Sequence, residues 1–309
     1  MKFLLNTASL GKELLAGALG HERVPALASE LGLAGVEWLD RLLPCWEAGF
    51  FRRLARAQEQ AGAGQAVLGL SLDALRNLPR SQAINVFKTM LDACGWLGTP
   101  LARVALGGGG NQMGRALSRF RPATGQGPGP WPLSPGGRRL YRLLSQPLLV
   151  ALARTRRRLP PRASHEKLQR EGEFLGPLAL AAQERGIKLA VENHWGITSY
   201  PEDLLALVRW LGLGNLGICL DTGNFFPGQS ALAALGCFGD LVLHVHLKYR
   251  RPIRRERPER GLEVIKALET NGYRGCLGLE GEGAGGGLSA LRQTAAFLNR
   301  SQAEARQIP

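Results

Sequence analysis

The chain has few acids, few aromatics, few cysteines and no long apolar run, and each shortage removes a class of protein. Its five cysteines, Cys45, Cys94, Cys219, Cys237 and Cys276, are widely spaced with no C-x-x-C pair. This excludes a disulfide framework and a thiolate zinc site, and points to reduced thiols. No stretch reaches the roughly 18 consecutive apolar residues of a membrane span. The apolar stretch Phe3–Leu5 gives way at once to Asn6 and Thr7, too short for the core of a secretory signal, so a cytoplasmic protein is expected. No G-x-G-x-x-G follows the first apolar run. Gly107–Gly110 lack the GK[ST] ending of a phosphate-binding loop and read as a flexible loop.

Acids are the clearest shortage: 25 Asp and Glu face 39 Lys and Arg, a formal net charge of +14. The location of that charge matters more than its size. Residues 101–170 hold fourteen Lys or Arg and one acid, Glu166, so the rest of the chain is nearly neutral. Within this segment, residues 107–137 are dominated by Gly, Pro, Arg and Ser and offer almost no core. Leucines at helical spacing follow, interrupted by Pro147, and then a basic run from Arg154 to Arg162. Residues 107–163 therefore read as a loop or helical insertion in one domain spanning 1–309. The 45% hydrophobic and 21% charged composition is that of a folded globular protein.

Outside the insertion, short apolar runs alternate with helical patterns. The expected strands are Lys2–Thr7, Gly35–Leu39, Ala66–Leu72, Leu101–Leu106, Lys188–Glu192, Leu216–Asp221, Leu241–His246 and Gly275–Glu280. Ser81–Leu97, Glu173–Arg185, Pro201–Leu211, Pro258–Asn271 and Leu288–Leu298 carry apolar residues at helical spacing. Eight strands alternating with helices in roughly 250 residues predict an α/β fold of the (β/α)8 TIM-barrel type, with a basic Gly/Pro-rich insertion after strand four. The alternative is a doubly wound open sheet.

A barrel of this kind places its chemistry at the C-terminal strand ends. The last four strands end in LAVENH with Glu192, ICLDTGN with Asp221, LHVHLK with His246 and GLEGEG with Glu280. One carboxylate at a strand end is usually only the start of a solvated loop. Three carboxylates and an imidazole at four successive ends instead make an oxygen-rich site for one divalent metal, Mn²⁺ or Mg²⁺ before Zn²⁺ or Co²⁺. His244 shares the parity of His246 and lies one layer deeper, where a hydrogen-bonded core histidine is expected.

The segments AVENHWG, GICLDTGNFF, LHVHLK and NGYRGCLGLEGEG, with DACGWLGTPLARVALGGG and GVEWLD before them, resemble the xylose isomerase-like barrel superfamily of sugar-phosphate isomerases and epimerases, which also contains an endonuclease IV branch. The resemblance implies that Glu192, Asp221, His246 and Glu280 are the metal ligands. It also implies that Glu192 and Glu280 double as the acid–base pair of a proton transfer through an enediolate. Lys248 sits at the family's H-x-K spacing and either binds a substrate oxygen or is a solvated lysine. Glu37 either faces the pocket from the end of strand two or pairs with Arg41. His194 either contacts substrate or satisfies its loop, and Trp195, Phe225 and Phe226 lie in loops at the same rim. The family often has histidine where this chain has Asn224, which can hydrogen-bond a hydroxyl but is a poor second-metal ligand. An acid often follows the lysine, where this chain has Tyr249, then Arg250 and Arg251, either of which can meet an anionic substrate.

The leading expectation is thus a metal-dependent sugar or sugar-phosphate isomerase or epimerase with a small-molecule partner and no membrane. A keto-sugar or keto-inositol lyase or dehydratase would use the same metal and base. The phosphodiesterase alternative needs a trinuclear cluster with more histidines than His21, His165, His194, His244 and His246 supply. Nucleic acid stays a lesser partner class, kept only by the basic insertion, and the oligomeric state is left open.

Overall fold

A computed structural model of the chain describes residues 1–106, 161–194, 196–251, 258–282 and 285–306. Eight strands, β1 (Lys2–Asn6), β2 (Gly35–Leu39), β3 (Gln65–Ser71), β4 (Leu101–Ala105), β5 (Lys188–Glu192), β6 (Leu216–Asp221), β7 (Val242–Tyr249) and β8 (Cys276–Gly281), pair in chain order and close into one parallel barrel. The open-sheet alternative is excluded because β8 pairs with β1, Lys2 opposite Cys276 through Leu5 opposite Leu279. The strands are apolar on both faces because both are covered, by helices outside and by facing strands within. β6 is buried along its whole length.

The helical ring comprises, among the described residues, α1 (Gly11–Leu15), α2 (Val24–Glu30), α3 (Ala48–Gln60), α4 (Arg80–Leu97), α5 (His165–Gln183), α6 (Pro201–Leu211), α7 (Ala231–Phe238), α8 (Pro258–Thr270) and α9 (Leu288–Arg306). α4 shows the rule: Ala83, Val86, Phe87, Met90, Leu91, Cys94 and Leu97 recur every three or four residues and are buried. It stops at Gly98, whose φ of +71° suits a residue without a β-carbon. No described helix is long and apolar enough to cross a membrane.

The expected insertion lies outside the described residues except for Pro161–Ala163, and the break falls after β4, where the sequence put it. Both stems are tied to the barrel. Arg76 donates to the Leu106 carbonyl at 2.7 Å and pairs with Glu171 of α5. Asp203 accepts from the Ala163 amide at 2.9 Å and from Arg162. These anchors and the Ser164 cap start α5 at His165, eight residues before the periodicity became regular.

Register decides what the barrel holds inside. Asp221 lies opposite His246, His246 opposite Gly278, and Lys248 opposite Glu280, so these side chains share the inner face. Gly278 is small for a reason: a β-carbon there would collide with the Glu37 carboxylate and stand 3.3 Å from His246 and 3.5 Å from His244. Gly278→Ala is therefore expected to cost roughly 1–3 kcal/mol of stability, the usual penalty for overpacking a filled core. A urea midpoint equal to that of the wild type would contradict this packing.

Candidate metal centre

Four groups meet at the barrel mouth. One ligand atom each from Glu192, Asp221, His246 and Glu280 lies within 4.8 Å of every other. His246 Nδ1 stands 3.3 Å from Glu192 Oε1, 3.6 Å from Asp221 Oδ2 and 3.1 Å from Glu280 Oε2. Glu192 comes from β5 and Glu280 from β8, so the two glutamates flank the β6–β7 pair that carries Asp221 and His246.

Local hydrogen bonds set these positions. Asn193 accepts from the Asp221 amide at 2.6 Å and donates to the Asp221 carbonyl at 3.0 Å, locking the ends of β5 and β6 together. Asp221 Oδ1 accepts from the Gly223 amide at 2.8 Å, which turns Oδ2 inward. Ser9 accepts from the Gly281 amide at 2.8 Å and donates to the Leu279 carbonyl, fixing the strand end that bears Glu280.

The donor set fits a hard divalent cation. His246 Nδ1, Asp221 Oδ2 and Glu280 Oε2 are buried and make no well-aligned hydrogen bond among the described residues, although the Lys248 ammonium stands beside both oxygens. Buried polar atoms are rarely left so, and here three of them face one point. Charge agrees. Glu37, Glu192, Asp221 and Glu280 face Arg103 and Lys248, and without an ion these carboxylates hold the His246 imidazole, despite its burial, well above its usual range; a divalent cation would replace that proton and the one on Asp221, balancing the two negative charges then left. A second group, Glu37, His244 and His246, is instead closed on itself by hydrogen bonds of 3.1 and 2.9 Å.

Lys248 Nζ lies 2.8 Å from Asp221 Oδ2, 3.4 Å from Glu280 Oε2 and 2.9 Å from Asn224 Oδ1. Burial would lower its ammonium, but Asp221 and Glu280 hold it above the usual lysine range. Burial would likewise raise Glu192 and Glu280. Arg103 keeps the first well below the usual carboxylate range and Lys248 the second. Asp221 goes the other way: burial pushes it up to about 7 against the pull of Lys248. Burial also drops His194 to about 4, so its imidazole is neutral at pH 7.

The remaining residues singled out in the sequence fall in different places. Asn224 is buried and donates to Glu192 Oε1 at 3.3 Å and to the Asn193 carbonyl at 3.1 Å, so its amide supports the glutamate from beside the site. Lys248 and Tyr249 belong to β7, which runs three residues beyond the expected end; Lys248 is therefore not a solvated loop lysine. Tyr249 is buried with its hydroxyl 3.1 Å from Ser9 Oγ. Arg250 pairs with Glu282 at 2.9 Å, and Arg251 is exposed just past the strand, outside the cluster. Phe225 is half-buried against the core, and Trp195 lies outside the described residues. Glu37 is not at the end of β2 but at its middle, fully buried, and it partners histidines rather than Arg41.

Arg103 was not read as a site residue at all. It is buried in β4, 3.5 Å from Glu37 Oε1 and 3.5 Å from Glu192 Oε2, and these carboxylates raise it further despite its burial. Gly69 makes its room, since a β-carbon there would stand 2.6 Å from the guanidinium. The signal was a lone arginine inside the apolar run LARVAL.

Residues 138–301, just over half of the chain, match the family described as the xylose isomerase-like TIM barrel. Comparison with curated proteins by sequence gives no match. Solved structures share the fold over nearly the whole length. The D-psicose 3-epimerase of Clostridium cellulolyticum H10, crystallised with D-tagatose, is 17% identical with a TM-score of 0.67, covering 98% of this chain and 99% of its own. A probable 3-DHS dehydratase of petrobactin synthesis from Bacillus anthracis is 14% identical with a TM-score of 0.64, covering 97% and 99%. A family 2 AP endonuclease from Brucella melitensis is 15% identical with a TM-score of 0.60, covering 98% of each chain. At these identities the likeness is one of fold.

Proposed function

The chain belongs to the xylose isomerase-like TIM barrels, and we propose that it is a divalent-metal-dependent isomerase or epimerase of a sugar or sugar phosphate, working by proton transfer through an enediolate. The observation that carries this reading is the pair Glu192 and Glu280, which approach the same imidazole nitrogen at 3.3 and 3.1 Å from strands on either side of it. Two carboxylates so placed can address opposite faces of one substrate carbon. A proton taken next to a carbonyl by one can be returned by the other, which inverts that carbon or shifts the carbonyl.

Glu192, Asp221, His246 and Glu280 would hold the cation, Mn²⁺ or Mg²⁺ ahead of Zn²⁺ or Co²⁺ because three of four donors are carboxylates. When bound, the cation supplies Lewis acidity that polarises substrate oxygens. The chain supplies the rest. Glu280, the least enclosed carboxylate at 12% exposure, meets substrate first. Lys248 offers an ammonium to a developing oxyanion, Asn224 holds Glu192 in place, and His194 faces the substrate as a neutral ring. Arg251, exposed at the rim, is a cation that could meet a phosphate group.

Ketoses are the first substrates to try, because a fold relative was crystallised with D-tagatose and the proton-transfer pair suits a carbon next to a carbonyl. The test is to incubate Mn²⁺-loaded and then Mg²⁺-loaded protein with D-tagatose, D-fructose, D-allulose and their phosphates in deuterated water. Carbon-bound deuterium and an epimer or aldose product are expected. Loss of water from the substrate with no epimer would replace this reading by dehydration, and a product with no solvent exchange at any concentration of enzyme would replace proton transfer by hydride shift.

A further inference from the structure

The floor beneath His246 is more ordered than a metal site requires. Glu37 reaches across the barrel from β2 to β7 through the space that Gly278 leaves open. Both of its oxygens are used: His246 Nε2 lies 2.9 Å from Oε1 and His244 Nε2 lies 3.1 Å from Oε2. Arg103 stands 3.5 Å from Oε1 and also 3.5 Å from Glu192, linking this floor to the mouth above. All three residues Glu37, His244 and His246 are 0% exposed, so bulk solvent does not reach these bonds.

We infer that Glu37 is a positioning residue that selects the tautomer of His246, and not a group that touches substrate. The inference rests on the metal-dependent reading above. A neutral imidazole carries its proton on one nitrogen and its lone pair on the other. A carboxylate can only accept, so once a cation takes up Glu192, Asp221 and Glu280 on the other side of the ring, Glu37 fixes the His246 proton on Nε2 and leaves the lone pair on Nδ1. Nδ1 is the atom that faces Glu192, Asp221 and Glu280, at 3.3, 3.6 and 3.1 Å, with no well-aligned hydrogen bond to any of them. His244 is the second arm of the clamp. By occupying Oε2 it stops the carboxylate from turning away, and Arg103 balances charge that burial would otherwise penalise. The glutamate is sealed from the mouth by the ring it orients, which removes it from contact with a sugar.

The test uses full-length protein loaded with diamagnetic Zn²⁺ and labelled with ¹⁵N in its imidazoles. The proton of His246 is expected on Nε2 and the metal-induced shift on Nδ1; a proton on Nδ1 with zinc on Nε2 overturns the inference. Glu37→Ala is expected to weaken zinc binding roughly 10–100-fold, the usual effect of losing an outer partner of a ligating histidine. A folded Glu37→Ala protein with wild-type zinc affinity overturns the inference. Glu37→Gln covers the case in which the alanine variant does not fold. Its amide can accept from one imidazole only, so either His244 or His246 must change tautomer, and two unchanged Nε2 protons refute the clamp. Failure of the wild type to bind zinc would sink the metal reading and this role with it. Normal zinc binding that is insensitive to Glu37 sinks only the role.

Discussion

Glu280→Gln is expected to retain metal yet lower turnover by roughly 10²–10⁴, the range attributed to a positioned general acid or base. Glutamine keeps the length of the side chain and one oxygen to face His246, so the gathering of donors survives. What it loses is the capacity to carry a proton. Lys248 contacts Glu280 at 3.4 Å but Asp221 at 2.8 Å, so the ammonium keeps its shorter partner and the local fold should hold. The half-reactions separate two roles that a rate alone would merge. If Glu192 and Glu280 serve opposite faces, the variant should still exchange the substrate hydrogen from the epimer that Glu192 addresses, while net conversion stops. Full conversion by Glu280→Gln, with metal bound, would reduce Glu280 to a ligand and end the two-base mechanism.

The barrel was legible because each strand is a short apolar run bounded by a polar end, and that pattern survives without knowledge of its neighbours. The members of the candidate cluster stood out for a related reason: Glu192, Asp221 and Glu280 are the residues at which apolar runs stop, and His246 is a polar residue near the end of another. Glu37 and Arg103 are polar residues inside such runs, and what they do depends on strands far away in sequence. Glu37 meets residues 207 and 209 positions later, and nothing local to GVEWLD announces them. The end of β7 was misplaced because Lys248 and Tyr249 look like loop residues. Lys248 instead stays in the strand because Asp221 and Glu280 neutralise it, and Tyr249 because Ser9 meets its hydroxyl. Charge inside a closed barrel is paired across the axis, and the pairing appears only when the strands are brought together.

Asp221→Asn tests the centre itself, and its effect on metal should exceed that of any change to the floor below. The amide oxygen can still accept from the Gly223 amide, as Oδ1 does at 2.8 Å, so the backbone turn after β6 is preserved. The amide nitrogen then takes the place of Oδ2. It cannot ligate a cation, and it presents hydrogens to the Lys248 ammonium that stood 2.8 Å from the oxygen. Removing one partner of a buried charge pair is costly, about 3–5 kcal/mol where nothing compensates, but here Glu280 and Asn224 still face the ammonium. The variant is therefore expected to fold with a lowered denaturation midpoint. Its metal affinity should fall by more than the roughly 10–100-fold expected for an outer partner such as Glu37. Elemental analysis should find about one divalent ion per wild-type chain and almost none per variant chain, and calorimetry should rank Asp221→Asn below Glu37→Ala. Equal metal content in wild type and variant would move the cation away from the four strand ends, and the proton-transfer roles of Glu192 and Glu280 would lose the geometry on which they depend.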